Sequence, residues 1–443
     1  MSRGLIKATV TAALMLAPSL ALADTPPQVS EARLRADIDT LVAFGTRHTL
    51  SSETDPKRGI GAARRWAEAE FRKTSTACGG CLTIVLPEKT VTGDRIPKPA
   101  HIVNVVAVQR GSERPNEVVI VQAHIDSRVS DVMDAVSDAP GANDDGSGTA
   151  LVLEAARVLS KRKFPTTIVY ALLQGEEQGL FGGQLLAEFA KAQGWMVKAV
   201  LNNDIVGNSR GSDGLVDDKN VRVFSEGPRA DGDNRLRATA RRFGGENDSP
   251  SRNLSRFIAA LAGPPLAVRQ VWRADRMGRG GDQLPFQEAG YPAVRFTVAV
   301  ENYDNQHQDL RVENGVTYGD TAASMDFPYL AKVTRLNVKA LVALANAPMP
   351  PPVSVAAAVS TFTTVKWTPS AGATAYNLWR RPTDQPGWLP KPMRISASRP
   401  NEVKLDGVRG DDWLFGVSAI AADGSESPVS SAVPGGQFAP LKP

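Results

Sequence analysis

Cysteine is nearly missing from this 443-residue chain: Cys78 and Cys81 are the only two, so a four-cysteine zinc knuckle has no second pair to draw on. Histidine is almost as scarce, at four residues, which gives weight to where each one falls. Neither charge is in surplus, because 51 lysines and arginines face 47 aspartates and glutamates for a formal +4. That balance leaves no electrostatic footprint for nucleic acid or for an anionic membrane surface. Low-complexity tracts are missing too. With 42% hydrophobic and 22% charged residues the chain has the make-up of a globular protein with a sizeable core, and its length predicts two or three domains.

Long apolar runs are also lacking, with one short exception at the start. Arg3 and Lys7 flank and precede the stretch from Ala8 to Leu16, and Ala21-Leu22-Ala23 follows before Asp24. The stretch falls short of the roughly 20 apolar residues of a spanning helix, and its small residues sit where a signal peptidase cuts. Residues 1–23 are therefore expected to be a signal peptide cleaved after Ala23, and the mature chain to be periplasmic or secreted, with no membrane span. In such a compartment Cys78-Gly79-Gly80-Cys81 is expected to close a local disulfide, in a loop too small to add much global stability.

What is present divides the chain in two. The run from Ala347 to Pro352 holds four prolines, cannot continue a helix or a sheet, and makes an extended spacer over 347–352. Before it, residues 24–346 alternate between strand and helix signals. Ile102 to Val108 and Glu117 to Gln122 have the pattern of neighbouring buried strands; Thr166 to Leu173, Val197 to Leu201 and Ala293 to Val300 are further strands. Ala150 to Leu159 has Leu151, Ala155, Val158 and Leu159 on one helical face, and Leu180 to Gln193 is a second helix. This order predicts an α/β fold, a mostly parallel mixed sheet flanked by helices. Gly207 to Arg276 is longer and more polar, and fits either a lid or a surface excursion. After the spacer, residues 353–443 carry short strands at Thr364 to Trp367, Ala375 to Trp379 and Trp413 to Ala419, which predict a small all-β sandwich with its own core. The placement of Trp367, Tyr376 and the run from Val417 to Ser427 resembles a fibronectin type III domain.

The residues with chemistry in them gather at strand ends, where α/β sheets place their functional groups. Val118 to Ala123 runs into His124-Ile125-Asp126, Leu172-Leu173-Gln174-Gly175 into Glu176-Glu177, and Val200 to Asn203 into Asp204. Gly141-Ala142-Asn143-Asp144-Asp145-Gly146-Ser147-Gly148 opens a helix, and His307 follows the last strand. Singly, each has an ordinary explanation: an aspartate caps a helix, a glutamate pair lies in a solvated turn. Together they leave several acids at one sheet edge with nothing to neutralise them. Three carboxylates with two imidazoles suit a pair of divalent ions that share one carboxylate.

These five motifs, in this order, resemble those of the co-catalytic zinc aminopeptidases of the bacterial leucyl aminopeptidase type, over roughly residues 41–344. Glutamate carboxypeptidases and glutaminyl cyclases belong to the same superfamily. The resemblance implies a zinc exopeptidase fold, peptide substrates and two zinc ions per chain. It implies that His124 and Asp204 bind one ion, Glu177 and His307 the other, and that Asp144 bridges them. Asp126 would orient His124, and Glu176 would act as general base toward a metal-bound water. Removal of N-terminal residues is the activity expected. A carboxypeptidase or a glutaminyl cyclase is the alternative on the same scaffold, and a non-enzymatic adhesion protein is a remoter one, because such relatives usually lose ligands. The chain departs from the family at Gly281-Asp282-Gln283-Leu284-Pro285-Phe286, where many relatives have Ser-Asp-His before Pro-Phe. These residues are expected near the substrate pocket, not on the metals.

Overall fold

Two helices, α1 (Glu31–Ala43) and α2 (Gly59–Ala77), open the computed structural model, which describes residues 28–441. The expected leader and its cleavage point lie outside the described residues. Cys78 and Cys81, just after α2, are joined in a disulfide. Five strands follow: β1 (Thr83–Val85), β2 (Glu88–Gly93), β3 (Ile96–Val103), β4 (Val105–Gln109) and β5 (Arg114–His124). The chain then alternates through α3 (Gly146–Leu159), β6 (Thr166–Leu173), α4 (Phe181–Ala192), β7 (Met196–Asn203), β8 (Asn220–Phe224), α5 (Asn234–Phe243) and α6 (Pro250–Leu261). It continues with β9 (Ala267–Val271), α7 (Gln283–Glu288), β10 (Ala293–Val298), the hairpin β11 (Arg311–Glu313) and β12 (Val316–Tyr318), and α8 (Phe327–Asn346).

Eight of these strands form one sheet in the order β1-β4-β6-β5-β7-β10-β8-β9. Its centre, β6-β5-β7-β10, is parallel, and antiparallel pairings attach β4 on one side and β8 on the other. The α/β class expected from the sequence is therefore the one observed. β6 is buried over all eight residues, as a run of apolar and β-branched side chains covered on both faces should be. One apolar layer, including Leu34, Ile38, Ile60, Leu151 and Leu341, lies under α1, α2, α3 and α8. The other, including Leu186, Ala190 and Phe286, lies under α4 and α7. Among the described residues no helix is long and apolar enough to cross a membrane.

Two expectations change. Ile102 to Val108 is not one strand beside Glu117 to Gln122: the chain breaks at Asn104, and β6 lies between β4 and β5. Asn104 leaves the ladder because its amide donates to the Gly182 carbonyl and accepts from the Gln174 N–H. The polar stretch from Gly207 to Arg276 is neither lid nor excursion in the main, since β8 and β9 extend the sheet and α6 packs on β9 and β10.

Beyond α8, the strands β13 (Val353–Ala356), β14 (Phe362–Trp367), β15 (Ala375–Pro382), β16 (Met393–Ser396), β17 (Glu402–Asp406), β18 (Trp413–Ile420) and β19 (Ser430–Ser431) form two antiparallel sheets. Val365, Trp367, Tyr376, Leu378, Phe415 and Val417 make a core of their own between them. The sandwich is nonetheless tied to the sheet domain by buried polar contacts. Asp248 pairs with Arg381 at 2.6 Å, Asn253 of α6 donates to Ser431 Oγ at 2.8 Å, and Arg229 donates to the carbonyls of Gln437 and Ala439.

Candidate metal centre

All four central strands deliver a side chain to the same edge. β5 ends at His124, β6 turns through Gly175 into Glu176 and Glu177, β7 is followed by Asp204, and the chain after β10 reaches His307. Gly175 has φ +89°, a conformation that favours glycine, so the turn that swings the two glutamates over the edge is written into the sequence. Asp144 comes from the loop before α3, whose N-cap is Asp145. The close seating of that helix needs Gly148, where a Cβ would stand 2.2 Å from the Asn203 carbonyl oxygen.

The seven residues singled out from the sequence converge. His124 Nε2 lies 3.2 Å from Asp144 Oδ1 and 3.9 Å from Asp204 Oδ2. His307 Nε2 lies 2.9 Å from Asp144 Oδ2 and 3.2 Å from Glu177 Oε1. Asp144 thus turns one oxygen to each of two triads, and within each triad the candidate ligand atoms all lie within 4.8 Å of one another. Glu176 lines the same cleft outside both triads. His124 Nε2 and Glu177 Oε1 are buried and have no hydrogen-bond partner among the described residues. Polar atoms withdrawn from water and left unpaired are costly unless a cation takes them, and imidazole with carboxylate is a donor set zinc accepts.

Asp126 faces both His124 and the turn that carries the two glutamates. Its backbone carbonyl meets His124 Nδ1 at 3.1 Å, whereas its carboxylate stands 3.6 Å away. That carboxylate also accepts from Thr49 Oγ1 and from the N–H groups of Glu177 and Glu176, and so fixes the turn that carries both glutamates. Behind the triads, Asp145 accepts from the N–H of His124, Gly148 and Ile205. Asp320 accepts from the N–H of Asn143 and Asp144. Arg295, fully buried, lies 2.6 Å from Asp204 Oδ1 and 3.3 Å from Asp275 Oδ2.

Within the cluster the acids and imidazoles offset one another's charge. Burial alone would lower the His307 pKa, but Glu177 and Asp144 outweigh it and raise it to about 9. His124 is likewise raised against its burial, by Asp126 and Asp144. Burial favours neutral carboxyls, yet the two imidazoles hold Asp144 well below its ordinary value, and His307 with Arg128 holds Glu177 down to about 2. Glu176 is raised, by burial and by Asp204, Glu177 and Asp282 against the pull of His124.

Several residues of the site escape the sequence reading. Arg295 was legible: a charged residue inside a strand buried at all six positions must have a partner. Asp320, and the arginines Arg95, Arg128, Arg276 and Arg279 of the cleft, stand in loops with no such signal. The segment from Gly281 to Phe286 lies behind the cleft and off the triads, with Asp282, Gln283 and Phe286 completely buried. Asp282 accepts from the Gly183 N–H, and Gln283 bonds to Asp275. The residues just before them, from Arg276 to Gly280, line the cleft of about 440 Å³ instead.

The profile of peptidase family M28 matches residues 104–325. A probable zinc metalloprotease of Leptosphaeria maculans is 42% identical over 416 residues, which cover 92% of this chain and 96% of that protein. A probable zinc metalloprotease of Pyricularia oryzae is 42% identical over 423 residues, covering 92% and 83%. Among solved structures, LapA of Legionella pneumophila is similar with a TM-score of 0.53 at 20% identity, over 72% of this chain and 74% of that one. LapB of the same organism gives 0.52 at 20%, over 71% and 72%. At that identity the likeness speaks for the fold.

Proposed function

The chain belongs to peptidase family M28 and is a zinc metalloprotease, and on that premise we propose that it is an exopeptidase of the aminopeptidase type that holds two zinc ions. One observation carries the reading: two triads share Asp144, and Glu176 is the single cleft carboxylate left outside them. In this reading His124, Asp144 and Asp204 hold one ion and Asp144, Glu177 and His307 the other. Zinc held there would supply a Lewis acid for the scissile carbonyl and lower the pKa of bound water to about 7.

The chain's own groups do the rest. Glu176 takes the proton of the attacking water and returns it to the leaving nitrogen, which needs a carboxylate near the ions but not on them. Asp126 keeps Glu176 in place through the N–H groups of the turn. Arg295 aims Asp204 and works against the burial that raises its pKa. Residues 24–346 form the catalytic domain in this reading, 347–352 the linker, and 353–443 an accessory domain of the fibronectin type III kind. Export is supported by the leader-like composition of residues 1–23 and by the Cys78–Cys81 disulfide.

Metal analysis of the purified chain, run beside hydrolysis of free and N-acetylated aminoacyl substrates, tests the proposal. Two ions per chain and activity abolished by acetylation are the expected results. Activity indifferent to acetylation moves the assignment to a carboxypeptidase, and one ion per chain contradicts the two-ion site.

A further inference from the structure

Four guanidinium groups line the cleft onto which Asp144, Asp204, Glu177 and His307 of the triads open: Arg95 from the β2–β3 turn, Arg128 just past β5, and Arg276 and Arg279 from the loop between β9 and α7. The acids lining it are Asp144, Glu177 and Asp204 of the triads, and Glu176. Few other carboxylates serve the arginines. Glu301 lies 3.3 Å from Arg276 and 3.1 Å from Arg279 while it also pairs with Arg222. Asp275 is shared between Arg276 and Arg295. Arg95 donates to a neutral partner, the Glu177 carbonyl, at 2.9 Å.

Arg128 adds a chemical constraint. Its Nε donates to Glu177 Oε2 at 2.9 Å, and a terminal nitrogen lies 2.6 Å from His307 Nδ1. If His307 gives its Nε2 lone pair to zinc, Nδ1 carries the proton and no longer accepts, so that guanidinium N–H is left without this acceptor. The triad carboxylates are by then committed to the ions. What remains is a concave site rich in planar cationic donors, which pair with carboxylates through two parallel hydrogen bonds.

We infer that the substrate carries a carboxylate close to the scissile bond, on an acidic side chain or as the free α-carboxylate of a very short peptide. Arg279, 31% exposed between Gly278 and Gly280, and the more exposed Arg95, which donates to a carbonyl and not to a carboxylate, lead its recognition. The position of the scissile bond rests on the peptidase reading above.

Two substrate pairs offered to the zinc-loaded full chain test this. Leucyl-leucine and its C-terminal amide differ in the α-carboxylate; glutamyl and leucyl 4-nitroanilide differ in the side chain. The anionic member of one pair should have a kcat/KM at least tenfold higher, carried by KM. That ratio should fall to threefold or less in Arg279→Ala and recover in part in Arg279→Lys. Calorimetric binding of the dipeptide acid, its amide and free glutamate to the Glu176→Gln protein reads the preference without turnover. Equal handling of anionic and neutral partners, in both pairs and in binding, overturns the inference. Tight binding of the anionic ligands with no hydrolysis of any peptide by the metal-loaded wild type would overturn the peptidase reading and leave this one standing.

Discussion

Arg381 offers a measure of how firmly the sandwich is held to the sheet domain. Asp248, just ahead of α6, is fully buried, with Oδ2 2.6 Å from Arg381 and Oδ1 3.1 Å from Ser431 Oγ and 3.5 Å from Arg256. Arg381 is itself only 3% exposed. In Arg381→Ala, Asp248 would keep one hydroxyl donor and one distant guanidinium, so a poorly compensated carboxylate would stay buried. Such one-sided removal costs about 3–5 kcal/mol, against less than about 1 kcal/mol for an exposed pair. The cost falls on the joint, because neither residue belongs to the apolar core around Val365, Tyr376 and Phe415. For a unit of roughly 90 residues that corresponds to a loss on the order of 10 °C or more in melting temperature. Scanning calorimetry should therefore show the transition of the sandwich moving down and separating from that of the sheet domain. Replacing both partners, Arg381→Met with Asp248→Leu, should recover most of the loss, since no charge is then left buried. A single variant that melts within about 2 °C of wild type, or a double variant worse than the single, would refute the reasoning.

Glu176→Gln should keep the metal content of wild type while turnover falls by about two to four orders of magnitude, because it removes a base and no ligand; metal analysis and steady-state kinetics check both. Asp144→Asn weakens both triads together and should lose metal, read by the same analysis. Chelation of the wild-type chain should abolish activity and lower its melting temperature, since ions that bind only the folded state stabilise it by mass action. Asp37 of α1 is buried near Glu70 and Glu154, and burial raises its pKa from 3.8 to about 7 despite Arg33. Between those values the folded chain holds a proton that the unfolded chain has released, so stability falls as pH rises through the window. Asp37→Asn, which cannot ionise, should accordingly melt higher than wild type at pH 8 and no higher at pH 4, and a gain independent of pH would contradict this.

The fold was legible where the backbone has little choice. Thr166 to Leu173 could only be a strand covered on both faces, and β6 has those bounds. The proline run from Pro348 marks the end of α8 at Asn346 because proline ends helices and sheets alike. Strand order was less legible. Nothing in the residues of β4 and β5 says that β6 will lie between them, since that is decided by how α3 carries the chain across the sheet and by Asn104, whose side-chain hydrogen bonds stop β3 from running on. The polar segment after Gly207 concealed β8 and β9 for a related reason: both are short, and β9, at the sheet edge, is nowhere fully buried.

The same contrast divides the candidate site. Each triad residue follows a strand or precedes a helix, and a parallel sheet turns that order in sequence into one edge in space, so seven residues spread over 184 positions could be assembled before any coordinates. The arginines obey no such rule. Arg95, Arg128, Arg276 and Arg279 come from three loops whose paths the strand order leaves open, and an arginine between glycines is in most chains merely solvated. The division follows function. Groups at strand ends are held rigidly enough to bring the two candidate triads and Glu176 together. Groups on loops can change without disturbing the sheet, and they decide which substrate is accepted. A family resemblance built on strand-end motifs therefore reaches as far as zinc-dependent peptide hydrolysis, and the choice of substrate has to be read from the cationic rim that those motifs do not contain.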